Sequence, residues 1–85
     1  MKVIKKIKNM FYDRAIQSLK SGSYIGGYIN QRIMKESLRK LLSAGRVSPD
    51  EYIKYLMDID YRSIEDSNER EIIIFGLTLL KEDIK

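Results

Sequence analysis

The chain has 85 residues, of which 44% are hydrophobic and 33% are charged, with one proline and neither cysteine nor histidine. This composition is typical of a single small globular domain and excludes a disordered or fibrous chain. Without cysteine there are no disulfides or thiolate chemistry, and without histidine the commonest general base and metal ligand is missing. We therefore expect one domain, residues 1–85, that is not an enzyme and uses no metal or other cofactor.

Charge is divided unevenly along the sequence, whose formal net charge is +4. Residues 1–46 hold eleven Lys or Arg and two acidic residues, whereas residues 47–85 hold five basic and ten acidic residues. A basic half favours phosphates or an acidic protein as partner, or head-to-tail association of two copies. The simpler alternative is a two-sided charge pattern that only keeps the domain soluble. Because a chain this short is stabilised by association, a homo-oligomer is a further expectation.

The amino-terminal segment is basic but has no unbroken apolar run and no small-residue cleavage pattern, so no secretory signal is predicted. The longest apolar run, residues 72–77, is far shorter than the roughly 18 residues that span a bilayer. With the lack of cysteine, these features predict a cytoplasmic protein without a membrane span.

Residues 2–20 have the spacing of an amphipathic helix that Ser21 and Gly22 end. Val3, Ile7 and Phe11, with lysines on their flanks, would suit attachment to an anionic membrane. We favour the core for this face, because a four-helix bundle of this length would otherwise have too little to bury. The apolar face expected in the core consists of Val3, Ile4, Ile7, Met10, Phe11, Ala15 and Leu19.

A second helix is predicted over residues 23–44, with Ser23 as N-cap and Gly45 just past its end. Residues 23–30 also fit a short hairpin, since two Tyr-Ile pairs flank a Gly-Gly doublet. We favour the helix, because two three-residue strands without further partners are too small to be stable.

A helical wheel of this segment shows an aromatic and basic sector, while most of the remaining circumference is apolar and predicted to be buried. The buried set is Ile25, Ile29, Ile33, Met34, Leu38 and Leu41. Basic side chains contact acidic groups and tyrosine rings stack on unpaired bases, so the sector is the predicted partner-binding site. Alternatively, its tyrosines pack their rings against the first helix with the hydroxyls at the surface. The sector consists of Tyr24, Tyr28, Arg32, Lys35, Arg39 and Arg46.

A third helix is predicted over residues 49–60, since Ser48, Pro49 and Glu51 form the pattern of a capping box with proline in the first helical position. Its acidic side chains would repel phosphates, which argues against a DNA-reading helix-turn-helix. The residues expected to face inward are Tyr52, Ile53, Leu56, Met57 and Ile59.

A fourth helix is predicted over residues 67–84, with Asp66 as its cap, although a buried strand over residues 72–77 also fits the apolar run. Helical spacing continues downstream and favours the helix. Because apolar residues cover nearly its whole surface, we expect it in the centre of a bundle or at an oligomer interface. The candidate self-interface is Ile74, Phe75 and Thr78. The acidic residues before the helix lack calcium-loop spacing and are interpreted as a solvated link with helix caps: Asp58, Asp60, Glu65 and Asp66.

Residues 38–56 resemble the short helical hairpin called SHOCT. The matching residues are Leu38, Leu41, Leu42, Gly45, Val47, Ser48, Glu51 and Tyr52. The resemblance covers about a fifth of the chain, and similar hairpins occur in small phage proteins. It implies an oligomerisation or interaction element. In size and composition the whole chain resembles small accessory proteins of phages and mobile elements.

Together these patterns predict an all-α bundle of about four helices, over residues 2–20, 23–44, 49–60 and 67–84. The predicted function is that of a non-catalytic regulatory protein, an inhibitor or adaptor, which binds an acidic protein or nucleoprotein surface through a basic helix face. The alternative is a small nucleic-acid-binding protein that uses the same aromatic and basic sector.

Overall fold

Four helices make up the fold in the computed structural model of the chain. The structure describes residues 2–22 and 26–84, without the side chains of residues 2 and 3. The helices are α1 (Lys2–Ser21), α2 (Tyr28–Ser43), α3 (Pro49–Asp60) and α4 (Ser67–Asp83). The predicted all-α bundle is confirmed, and α1, α3 and α4 agree with the predicted ranges to within one residue at each end.

The centre of the bundle is α2, which packs against α1, α3 and α4, while α4 also packs against α1. The sequence pattern predicts that α4 lies in the centre of the bundle or at an oligomer interface, whereas the central helix is α2. All four helices contribute to one core, to which the two connections after α2 and α3 also add side chains. The buried apolar residues are Tyr12, Ala15, Leu19, Met34, Leu38, Leu41, Val47, Tyr55, Ile59, Ile64, Ile73 and Leu77.

The prediction for the buried face of α1 is wrong in its first half. Ile4, Ile7 and Met10 are exposed, the side chain of Val3 lies outside the described part of the chain, and the described core residues of α1 all lie in its second half. The buried side of α1 is set by Tyr12, which the sequence pattern did not place in the core. Tyr12 lies on the same side of the helix as Ala15 and Leu19, three and seven residues further along the chain. Its hydroxyl donates a hydrogen bond to Glu36 Oε1 at 2.9 Å, which satisfies the one polar atom of a buried ring.

The start of α2 also differs from the prediction of a helix from Ser23. Gly26 has φ +81° and Gly27 is extended, so the helix begins at Tyr28 with Gly27 as N-cap. Helix formation at two successive glycines is unfavourable by about 1 kcal/mol each, and Gly26 adopts the left-handed conformation that glycine favours. The hairpin alternative is wrong as well, because residues 28–30 are helical; residues 23–25 lie outside the described ranges.

The predicted capping box of α3 is confirmed in full. Ser48 Oγ accepts a hydrogen bond from the Glu51 amide at 3.1 Å, and the Ser48 amide donates to Glu51 Oε1 at 2.8 Å. The predicted inward face of α3 is partly wrong. Ile53 and Met57 are exposed, and Tyr55, which was not predicted to face inward, is buried. Ile53 and Met57 lie one residue past the inward-facing positions at 52 and 56, so the helix turns them away from α2.

A close approach between two helices lies where α2 crosses α4. Ser37 is buried and its hydroxyl donates a hydrogen bond to the Ile73 carbonyl at 2.8 Å. A Cβ atom on Gly76 would lie 2.1 Å from Ser37 Oγ and 2.9 Å from the Ser37 carbonyl oxygen. The two backbones therefore approach to a distance that only glycine permits at this position.

Replacing Gly76 tests this contact. We expect Gly76→Ala to lower the free energy of unfolding by about 1–3 kcal/mol, the usual range for overpacking. Helix propensity alone would raise it by about 1 kcal/mol, so the sign of the change is diagnostic. Urea unfolding followed by circular dichroism measures it, with Thr78→Ala on the exposed side of α4 as control. A Gly76→Ala variant as stable as the wild type would contradict the contact.

Candidate functional site

The outer side of α2 carries an exposed line of one tyrosine and two arginines. Tyr28 is 62% exposed, and Arg32 and Arg39 follow at spacings of four and seven residues, on the side away from the buried Met34 and Leu38. Arg32 Nη1 donates a hydrogen bond to the Tyr28 hydroxyl at 3.5 Å, and its guanidinium lies 5.8 Å from the Tyr28 ring centroid. We call Tyr28, Arg32 and Arg39 the α2 ridge.

Other members of the predicted partner-binding sector do not join this line. Lys35 is half-buried and its Nζ forms an ion pair with Asp60 Oδ1 of α3 at 2.6 Å. Arg46 follows the end of α2, and its guanidinium lies 5.3 Å from the ring centroid of Phe75. Arg46 lies three residues past the end of α2, where helical spacing no longer places it in line with Arg39, and it contacts α4 instead of joining the ridge. Tyr24 lies outside the described ranges.

A shallow groove runs beside the ridge, where α1 passes the start of α2. It encloses about 440 Å³ and is lined on the α1 side by Phe11 and Arg14, and on the α2 side by residues 27–30, which include Tyr28. Arg14 is exposed and adds a third guanidinium next to the ridge. Sequence reasoning missed Phe11 and Arg14 because only the packing of α1 on α2 brings them to this side.

The cations of the domain differ in whether a carboxylate pairs with them. In the described chain, Arg14, Arg32 and Arg39 form no ion pair, and neither do the exposed lysines of α1, whereas four lysines pair with carboxylates of neighbouring elements or of their own helix. The paired lysines are Lys35, Lys40, Lys54 and Lys81. Glu36 lies between the two ridge arginines in sequence, and its carboxylate accepts the Tyr12 hydroxyl. Positive charge at the ridge is thus left available to a partner.

The predicted self-interface is spread over different surroundings. Ile74 is half-buried and lines a depression with Leu19 and Lys20, while Phe75 lies under Arg46. The exposed Thr78 donates its hydroxyl to the Ile74 carbonyl at 2.9 Å. These contacts leave the self-interface a prediction.

A buried carboxylate at the start of α4 was not found from the sequence. Glu69 is only 1% exposed, and Lys54 Nζ donates to its Oε1 at 3.2 Å and to Asp58 Oδ2 at 3.3 Å. Burial first, and then a hydrogen bond with Asp58, raise the pKa of Glu69 to about 7, while Lys54 acts in the opposite direction. Its Oε2 is buried without a hydrogen-bond partner, so negative charge on this carboxylate is poorly solvated and the protonated form is favoured.

The prediction of a solvated acidic link with helix caps agrees with the structure at Glu65 and Asp66, whereas Asp58 and Asp60 lie in α3 and form ion pairs with Lys54 and Lys35. Asp66 is the N-cap of α4 and its Oδ1 accepts from the Asn68 amide at 2.9 Å, while Glu65 is exposed. In the part of the chain that the structure describes, no group of acidic side chains is arranged to hold a metal ion. Likewise, none of the described helices has both the length and the apolar character that crossing a bilayer requires.

No protein-family model, no curated protein sequence and no solved structure matches this chain.

The buried carboxylate predicts a pH dependence. The folded-state pKa of Glu69 is about 7 against an ordinary 4.5, so the folded protein binds the extra proton between these values. The contribution of Glu69 to stability is therefore complete below about pH 4.5 and is lost as the pH rises to about 7. Glu69→Gln, which keeps an amide donor for Asp58, should abolish this part of the decline.

Urea unfolding across that pH range measures the effect, with the exposed Glu71→Gln on the same helix as the matched control. The difference in unfolding free energy between wild type and Glu69→Gln should change with pH, while the difference for Glu71→Gln stays nearly constant. Parallel pH profiles for wild type and Glu69→Gln would show that Glu69 is not protonated in the folded state.

Proposed function

We propose that this protein is a non-catalytic binding protein, of the inhibitor or adaptor kind, which engages an acidic protein surface through the α2 ridge. The observation that carries the proposal is the exposure of Tyr28, Arg32 and Arg39 in one line, free of carboxylate partners in the described chain, while Lys35 beside them is paired inward. Tyrosine and arginine are the side chains most enriched at the energetic centres of protein interfaces.

The helix fixes the spacing that a partner has to match. Arg32 and Arg39 are seven residues apart, which places them about 10 Å apart along the helix axis. Each guanidinium presents a planar set of donors that suits a carboxylate. The complementary surface therefore carries two acidic groups about 10 Å apart, with an apolar or aromatic group beside Tyr28.

The fold presents the ridge with little freedom to move. The opposite side of α2 is fully buried at Met34, Leu38 and Leu41, and three helices pack around it. A binding surface that is ordered before the partner arrives loses less conformational entropy on association. The other three helices thus support binding by holding α2 in place, even where they do not contact the partner.

Nucleic acid is the second candidate, supported by the ring of Tyr28. The ring is exposed beside Arg32, and the groove lined by Phe11 and Arg14 adjoins it. Stacking of an unpaired base on an exposed aromatic ring contributes about 1–3 kcal/mol, while the three guanidinium groups suit phosphates. Single-stranded RNA is therefore the second probe against which the ridge is tested.

Charge reversal of the ridge tests the first proposal. Fluorescence anisotropy of a labelled oligoglutamate peptide should show binding to the wild-type protein that Arg32→Glu with Arg39→Glu weakens at least about tenfold, roughly 1.4 kcal/mol. The control Lys20→Glu with Arg62→Glu changes the net charge equally at two exposed sites off the ridge. Equal losses in both variants would show attraction by net charge and not by the ridge.

The ring of Tyr28 separates the two candidates. If the partner is nucleic acid, Tyr28→Ala should weaken binding of labelled single-stranded RNA by about 1 kcal/mol or more and leave the salt dependence unchanged. For an acidic protein surface, the ridge arginines should outweigh the ring, and RNA affinity should be insensitive to Tyr28→Ala. If neither Tyr28→Ala nor the double variant of Arg32 and Arg39 changes the affinity for RNA, nucleic acid is rejected as the ligand of this site.

A further inference from the structure

The first half of α1 exposes a line of large apolar side chains that the core does not use. Ile4, Ile7 and Met10 are 58%, 44% and 51% exposed, and each is three residues from the next, so they lie along one side of the helix. We call these three residues the α1 stripe. Exposed apolar side chains that form a continuous line mark an interaction surface more strongly than isolated ones.

Lysines border the stripe on both sides. Lys6 is four residues before Met10 and Lys8 is four residues after Ile4, so each is a surface neighbour of one end of the stripe, on opposite borders. Both lysines are exposed. Residues 2–12 contain no acidic residue. The first acidic residue of the chain is Asp13, whose Oδ1 forms an ion pair with Lys81 Nζ at 2.5 Å.

From this pattern we infer that the α1 stripe docks on the surface of an anionic phospholipid bilayer. Ile4, Ile7 and Met10 enter the boundary between headgroups and acyl chains, and Lys6 and Lys8 contact the anionic headgroups. A helix with an apolar side between lysines lies in the plane of the interface in this way. Charge complementarity identifies the occupant, because each lysine near an anionic leaflet adds attraction that an uncharged surface does not offer.

A symmetric pairing of two α1 stripes fits this surface less well. In a symmetric dimer each stripe would face the other, which would bring Lys6 and Lys8 of one copy close to the same lysines of its partner. Like charges placed together across an interface are unfavourable. The stripe is therefore better matched to a negatively charged surface than to itself.

The exposed apolar residues of α3 provide a matched comparison. Ile53 and Met57 are 56% and 52% exposed, close to the values of the α1 stripe. Three residues before Ile53 stands Asp50, and three residues after Met57 stands Asp60, so carboxylates border this line. This line has two apolar side chains of similar exposure to the three of the α1 stripe. Carboxylates border it, of which Asp60 forms an ion pair with Lys35, whereas lysines border the α1 stripe.

Vesicle flotation of the full chain tests the inference. The wild type should float with vesicles of phosphatidylcholine and phosphatidylserine and stay behind with phosphatidylcholine alone. Ile4→Ser with Ile7→Ser should lower the partition constant at least about tenfold, since each loses apolar carbons that would be buried in the interface. Ile53→Ser with Met57→Ser should bind like the wild type.

Circular dichroism and the urea midpoint establish that both double variants remain folded, as expected for exposed side chains. The inference is overturned if the wild type does not float with the anionic vesicles, or if both variants bind as the wild type does. It is also overturned if light scattering shows a dimer that the Ile4 and Ile7 variant loses, whether or not the Ile53 and Met57 variant loses it too, since the stripe would then be an interface between copies of the chain. Equal binding to both vesicle types would also overturn it, because the lysines would then not select an anionic bilayer.

Discussion

The close contact of α2 with α4 at Ser37 and Gly76 orients the central helix of the bundle. Because Gly76 lacks a Cβ, the Ser37 hydroxyl reaches the Ile73 carbonyl, and the side of α2 that holds Met34 and Leu38 is fully enclosed. Once that side is fixed inward, helical geometry places the opposite side at the surface. The exposed line of tyrosine and arginine is a consequence of this packing.

Packing also decides which of the basic residues remain available. Lysines at the flanks of α2 reach carboxylates of the acidic carboxyl-terminal half, as Lys35 does with Asp60 and Lys40 with Asp83. Exposed pairs of this kind contribute at most about 1 kcal/mol each, so their main effect is to neutralise charge inside the domain. The uneven charge of the sequence is thus partly cancelled within one chain. The positive charge that stays unpaired on the ridge is that of Arg32 and Arg39.

Local signals in the sequence were sufficient for the number and type of helices and for the cap of α3, because a capping box depends on neighbours only three residues apart. Features that depend on packing between helices were not predictable in this way. The inward turn of Tyr12 requires Glu36 as hydrogen-bond partner, and the burial of Glu69 requires Lys54. The candidate site was half predicted, since the wheel gave Tyr28 and the ridge arginines, whereas Lys35 pairs with Asp60 and Arg46, which lies past the predicted end of α2, lies against Phe75.

Binding through the α2 ridge is tested most directly by an NMR titration of the isotope-labelled chain with an oligoglutamate peptide. The peptide should shift the resonances of Tyr28, Arg32 and Arg39, with smaller shifts at Arg14, and leave α3 unchanged. The shifts should vanish at high salt, since the contacts are between exposed charges. Shifts spread over all exposed lysines and arginines, or confined to another face of the bundle, would contradict binding by the ridge.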